Sequence, residues 1–288
     1  MAPARHGGMV GVAGSARGLP RWWTQPGQRH RRLGVELPRL GHRPAPRGDR
    51  VSRFRLAHLI PSRSIPLTRW RSDHRWRARP STLVVLISGL WLFGSGEAML
   101  VNAGIGVSPW TVFAEGLSAR TALPIGATTL VTSLIVLALW LPLRERPGLG
   151  TIANAVVVAL ALQVMIEILP TPTGLGWQIV LVLAGIASIG LGSGLYLTTN
   201  LGPGPRDGLM TGLHERTGIA VTPVRLSIEV LVLAAGWLLG GTVGLGTVMF
   251  ALMIGPSVGY GLRIVGRMAR THDVVPPTSD DRHPELEA

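Results

Sequence analysis

The alternation of polar and apolar positions changes character at Pro80. Beyond it run six apolar stretches of 19–23 residues: Thr82–Val101, Ile125–Leu143, Thr151–Leu169, Trp177–Thr199, Thr222–Gly241 and Thr247–Val265. A helix of that length covers ~30 Å, the thickness of a bilayer's hydrocarbon core. Lipid offers the backbone no hydrogen-bond partners, so such stretches are helices rather than strands. The expected fold is an all-α membrane protein with about six transmembrane helices.

The stretches share landmarks in two sets of three. Gly94-Ser95-Gly96 is echoed by Gly192-Ser193-Gly194, and Asn102-Ala103-Gly104-Ile105-Gly106 by Asn200-Leu201-Gly202-Pro203-Gly204, both at a separation of 98. Two residues are then lost, and Pro109/Pro205, Gly116/Gly212 and Gly148/Gly244 follow at 96. An odd number of crossings per copy turns the second copy over. The expectation is two inverted three-helix repeats, residues 81–170 and 171–267, related by a pseudo-two-fold axis in the membrane plane. Many secondary transporters are built this way. The plainer alternative is a duplication that only builds a stable bundle.

Charge refines the picture. Only 15% of residues are charged, against about a quarter in soluble domains. Residues 1–80 hold 18 of the 28 basic residues and three acids. They read as a disordered Arg/Pro-rich cytoplasmic tail, or in part as sequence upstream of the true translation start. No apolar core of a signal peptide follows the first basic residues. Residues 268–288 read as a disordered acidic C-terminal tail. The remaining Arg residues follow the second, fourth and sixth stretches or, as Arg225, stand near the start of the fifth, while the opposite loops carry only Arg120. That asymmetry places both termini in the cytoplasm of a bacterial inner membrane. Cysteine is absent, which excludes disulfides, thiolate nucleophiles and Cys-ligated metals.

Pro109 and Pro205 each suit the first position of a short helix, Pro109–Ala119 and Pro205–Thr217, and these are expected on opposite faces of the membrane. Their Gly-rich approaches present free N–H groups that suit an anion, and Arg206 and Asp207 stand at the second. Glu229, two turns inside the fifth stretch, has Arg225 four residues earlier: either a coupling acid or a neutralised pair. Glu97, near the outer end of the first stretch, is a candidate for proton coupling. Asn102, Asn154 and Asn200 complete the candidate set for substrate or ion coupling. The Gly255-Pro256 pair predicts a kink in the last stretch. No phosphate loop, metal cluster or nucleophile–base arrangement is present in the sequence. No catalytic residue, cofactor or metal is therefore expected, and an enzyme is not.

The segments Gly104-Ile105-Gly106-Val107-Ser108-Pro109-Trp110, Gly148-Leu149-Gly150-Thr151-Ile152-Ala153-Asn154 and Gly202-Pro203-Gly204-Pro205-Arg206-Asp207-Gly208-Leu209-Met210 resemble the YczE/YitT-type family of bacterial integral membrane proteins. The resemblance covers roughly residues 82–267 and implies a multi-spanning inner-membrane protein. Some relatives of that family are associated with lipopeptide production. Two functions remain open from sequence. One is a small secondary transporter or exporter, with substrate between the halves. The other is a membrane scaffold or regulator that recruits a cytoplasmic partner. Expected partners are the bilayer, with anionic lipids at the Arg clusters, a small-molecule or ion substrate, and a second copy of the chain. Nucleic acid is not expected.

Overall fold

The computed structural model describes residues 65–269. The readings of residues 1–64 and 270–288 as tails fall outside them. Among the described residues there are eight helices and no strand: α1 Pro80–Ala103, α2 Pro109–Thr121, α3 Ile125–Leu143, α4 Leu149–Ile168, α5 Leu175–Thr198, α6 Pro205–Thr217, α7 Val221–Leu238 and α8 Leu245–Ala269. Six are long and apolar enough to cross a membrane, namely α1, α3, α4, α5, α7 and α8. At 13 residues each, α2 and α6 reach about 20 Å and stop short of a crossing. The expected kink does not divide the last span, for α8 runs on through Pro256.

The bundle is organised around the crossing of α1 and α5. Lipid tails are as apolar as leucine, so helices associate through close packing and small residues. A Cβ added to Gly89 would lie 2.9 Å from the Gly192 carbonyl oxygen, and one on Gly192 2.5 Å from that of Gly89. Gly96 and Gly185 repeat the arrangement, at 2.6 Å and 2.7 Å. Backbone therefore lies on backbone at two points, and no larger residue fits either. Leu100, Val107, Val112, Ile186 and Ile189 fill the space beside the crossing.

The outer helices attach in matching pairs. α4 packs on α1 as α8 packs on α5, and α2 packs on α7 as α6 packs on α3. A Cβ added to Gly94 would lie 2.7 Å from that of Ala161, and one added to Gly190 would strike Ser257. Gly150 N–H donates to the Leu201 carbonyl (2.9 Å), and Gly246 N–H to that of Ile105 (2.8 Å). The partners in each matching contact stand 96 positions apart, from Gly89/Gly185 to Gly150/Gly246. The separation of 98 expected for the first two motifs is thus corrected. Gly104 (φ 68°) matches Asn200 (φ 59°), and Gly106 (φ 113°) matches Gly202 (φ 119°).

One pair breaks the match. α3 packs along α4, with the Gly126 backbone against Gln163 and Ala159, but α7 barely touches α8. Gly255, at the place corresponding to Ala159, has open space where a Cβ would point. Leu233 of α7 and Met249, Phe250 and Ile254 of α8 still meet the central apolar cluster.

Residues 65–79, assigned to the tail from sequence, lie against the bundle. Ser72 N–H donates to the Thr199 carbonyl (2.9 Å), Asn200 Nδ2 to the Ser72 carbonyl (2.9 Å) and Trp70 Nε1 to Thr198 Oγ1 (3.1 Å). Leu149 N–H, at the start of α4, donates to the Arg75 carbonyl (2.9 Å). The segment thereby occupies polar groups at the end of α5 and the start of α4 that would otherwise lack partners.

Candidate functional site

The loops after α1 and α5 turn back into the bundle instead of leaving it. The motif Gly148-Leu149-Gly150-Thr151 and its copy at Gly244–Thr247 hold them there. Thr151 Oγ1 accepts from Gly148 N–H (3.1 Å) and donates to the Pro203 carbonyl (2.8 Å), and Thr247 Oγ1 accepts from Gly244 N–H (3.3 Å). Each returning loop ends in a proline that opens a helix, where the missing N–H costs no bond. Their C-terminal ends reach opposite ends of the bundle: Arg120 Nε of α2 donates to the Leu239 carbonyl, while α6 follows α3 to Leu143 and Glu145. Their N-termini meet. The Arg206 guanidinium carbon stands 5.1 Å from the centre of the Trp110 ring. The expectation that the two helices sit wholly on opposite faces is corrected accordingly.

Glu97 is 2% exposed and faces the start of α2. Its Oε2 accepts from Ser108 Oγ and Thr111 Oγ1, each at 2.8 Å. Its Oε1 is buried without a hydrogen-bond partner. Across from it, Asp207 Oδ2 accepts from the Tyr196 hydroxyl (2.9 Å). Glu97 and Asp207, the next residue along the chain, both attract the Arg206 guanidinium. Arg206 forms no ion pair within 4.0 Å among the described residues. Trp140 seats α6, with its indole N–H on the Pro205 carbonyl (3.0 Å) and its ring against Gly208, where any side chain would clash.

Of the candidates chosen from sequence, the fold gathers Glu97, Arg206 and Asp207. Asn154 stands beside them, its amide 3.4 Å from where a Cβ on Gly204 would lie. Arg225 and Glu229 form a 2.8 Å ion pair on α7, the neutralised-pair reading, and both act on the site's flank: Arg225 on Tyr196, Glu229 on Arg206. Asn102 and Asn200 stand elsewhere. Asn102 Nδ2 donates to the carbonyls of Ile166 (3.0 Å) and Leu169 (2.8 Å), closing the end of α4, and Asn200 is held to Ser72. Four site residues escaped the sequence reading: Ser108, Trp110, Thr111 and Tyr196. A hydroxyl pair spaced i, i+3 around Pro-Trp was the available signal for the first three.

The site chemistry is that of a small buried polar cluster in an apolar bundle. It has one unpaired carboxylate oxygen, one guanidinium without a close counter-ion and two helix N-termini. Reactive partners for group transfer are not gathered there.

The family model described as a family of unknown function, DUF6198, matches residues 80–262. An uncharacterized protein of Haemophilus influenzae is 42% identical over 72% of this chain and 94% of its own length. The uncharacterized membrane protein YczE of Bacillus subtilis is 31% identical over 65% of this chain and 85% of its own. The uncharacterized protein YyaS of the same organism is 23% identical over 62% and 91%. No solved structure matches the chain. With six helices long enough and apolar enough to cross a membrane and these relatives beside it, the chain belongs to the DUF6198 family, a YczE-like family.

Proposed function

We propose that the protein is a small secondary transporter or exporter, built from two inverted three-helix repeats and working by alternating access. The observation that carries this is the unequal state of two matching helix pairs. α3 is packed along α4, whereas α7 stands off α8. If the halves exchange conformations, α7 closes on α8 while α3 leaves α4, and the chamber opens to the other side. The chamber between them, at Glu97, Arg206 and Asp207, is the substrate site. Arg placement supports a bacterial inner membrane with both termini cytoplasmic.

The cysteine-free chain offers a clean test. Thr222 and Gly259 correspond to Gly126 and Gln163, which touch in the first half: Gly126 N–H donates to Gln163 Oε1 (3.0 Å), and a Cβ on Gly126 would lie 2.6 Å from that of Gln163. The double substitution Thr222→Cys/Gly259→Cys should form a disulfide in native membranes under mild oxidation, and bridging should stop solute flux in proteoliposomes. A disulfide requires Cα atoms within about 7 Å. Failure to bridge at any temperature or pH at which the protein is folded would remove alternating access.

A further inference from the structure

We infer that the chamber binds a small monovalent anion together with a proton, the proton riding on Glu97. The inference rests on the transporter reading and names the substrate class and coupling ion of the same site.

Each helix N-terminus is worth about half a positive charge. Those of α2 and α6, together with Arg206, therefore supply about two positive charges at the junction. Glu97 and Asp207 supply two negative ones. While both acids are ionised the chamber is near neutral and offers an anion no net attraction. Asp207 is engaged by Tyr196 through its hydroxyl. Glu97 has one oxygen engaged and the other, Oε1, buried and unpaired. A buried carboxylate oxygen without a donor is costly, and a proton there makes Glu97 itself a donor. Protonation also leaves about one positive charge at Arg206. An anion placed between them accepts from the Glu97 O–H, from the guanidinium and from free N–H groups of α6. When Glu97 loses the proton, its negative charge takes the anion's place opposite Arg206. Anion and proton therefore bind as a pair.

Other charged groups face Glu97 from the packed elements. They are Glu115 on α2, Arg206 and Asp207 on α6, Tyr196 on α5 and, farther out, the Arg225–Glu229 pair on α7. Glu229 already has its counter-charge, and Glu115, in the middle of α2, accepts from Thr242 N–H (2.9 Å). Glu97 alone among these acids combines full burial with an unpaired oxygen.

The test uses the full chain in detergent with sodium nitrate as probe and sodium gluconate as ionic-strength control. Nitrate should raise the thermal midpoint at low pH. Its apparent Kd should weaken about tenfold per pH unit once Glu97 ionises. In weakly buffered solution nitrate addition should draw protons from the medium. Glu97→Gln should bind nitrate independently of pH and take up no proton, and Arg206→Gln should not bind. Should Glu97→Gln fail to fold, Thr111→Val serves. Loss of one donor to Oε2 disfavours the ionised acid, so nitrate binding should persist to higher pH. Three results overturn the inference: no nitrate binding between pH 5 and pH 8, binding without pH dependence, or proton uptake surviving in Glu97→Gln. None touches the helix movement, which the cysteine pair tests by itself.

Discussion

Arg206 and Trp110 stack on one another from equivalent places, each the second residue of a 13-residue helix opened by proline, 96 positions apart. A residue that touches its own counterpart lies where the two halves meet. The contact thus places the polar cluster between the N-termini of α2 and α6 and not within either helix.

The stack predicts a graded response. A guanidinium over a partly desolvated ring is worth about 0.5–2 kcal/mol. Trp110→Phe keeps an aromatic face, whereas Trp110→Leu keeps bulk and loses it. The leucine variant should be less stable than the phenylalanine variant by about 1 kcal/mol in detergent unfolding. With Arg206→Gln as background the gap should vanish.

A second prediction concerns the turn after α5. Asn200 holds φ 59° and donates to the Ser72 carbonyl. Left-handed backbone costs an ordinary residue about 1–2 kcal/mol, and glycine nothing. Asn200→Ala loses both the bond and the tolerated conformation, while Asn200→Gly loses only the bond. Alanine should therefore lower stability by about 1 kcal/mol more than glycine. Removing residues 65–79 should cost more than either, because the end of α5 and the start of α4 lose their partners together.

The same turn explains how far the fold was legible. The spans are legible because length and apolarity alone specify them: Ile125–Leu143 ends where its pattern ends, and the other stretches shift by a few residues. The repeat register was displaced by two because Asn102 and Asn200 share a letter. A left-handed turn accepts Gly or Asn, so the true match of Asn200 is Gly104. Glu97 was legible as an unusual acid in an apolar span. Its partners were not, since a proline-led helix carries no signal of the depth at which it begins. Trp110, which follows the proline, is likewise 6% exposed inside the bundle.

Outside the membrane-spanning segments, Glu145 predicts a pH effect. Burial raises its pKa above the ordinary value, and Glu215 adds to the rise, with Arg75 opposing. The folded protein thus holds this proton more tightly than the unfolded chain. The stabilisation is complete below the unfolded pKa, near 4.5, and is lost as pH rises through the folded one. Glu145→Gln should flatten that part of the stability–pH curve and raise stability at neutral pH, as read from thermal midpoints between pH 4 and pH 8.

Gly255 separates a moving α7 from a static one. Open space lies where its Cβ would point, so Gly255→Ala should be tolerated, and better helix propensity should add up to about 1 kcal/mol. In the first half, the corresponding Ala159 carbonyl lies 2.7 Å from where a Cβ on Gly126 would sit, and no room is left there for bulk. If α7 closes on α8 in the same way, Gly255→Leu blocks the closure but leaves the described state intact. The leucine variant should match wild-type stability while losing flux in proteoliposomes, and it should suppress the Thr222→Cys/Gly259→Cys bridge. Normal flux with leucine at this position would mean that the space between α7 and α8 never closes.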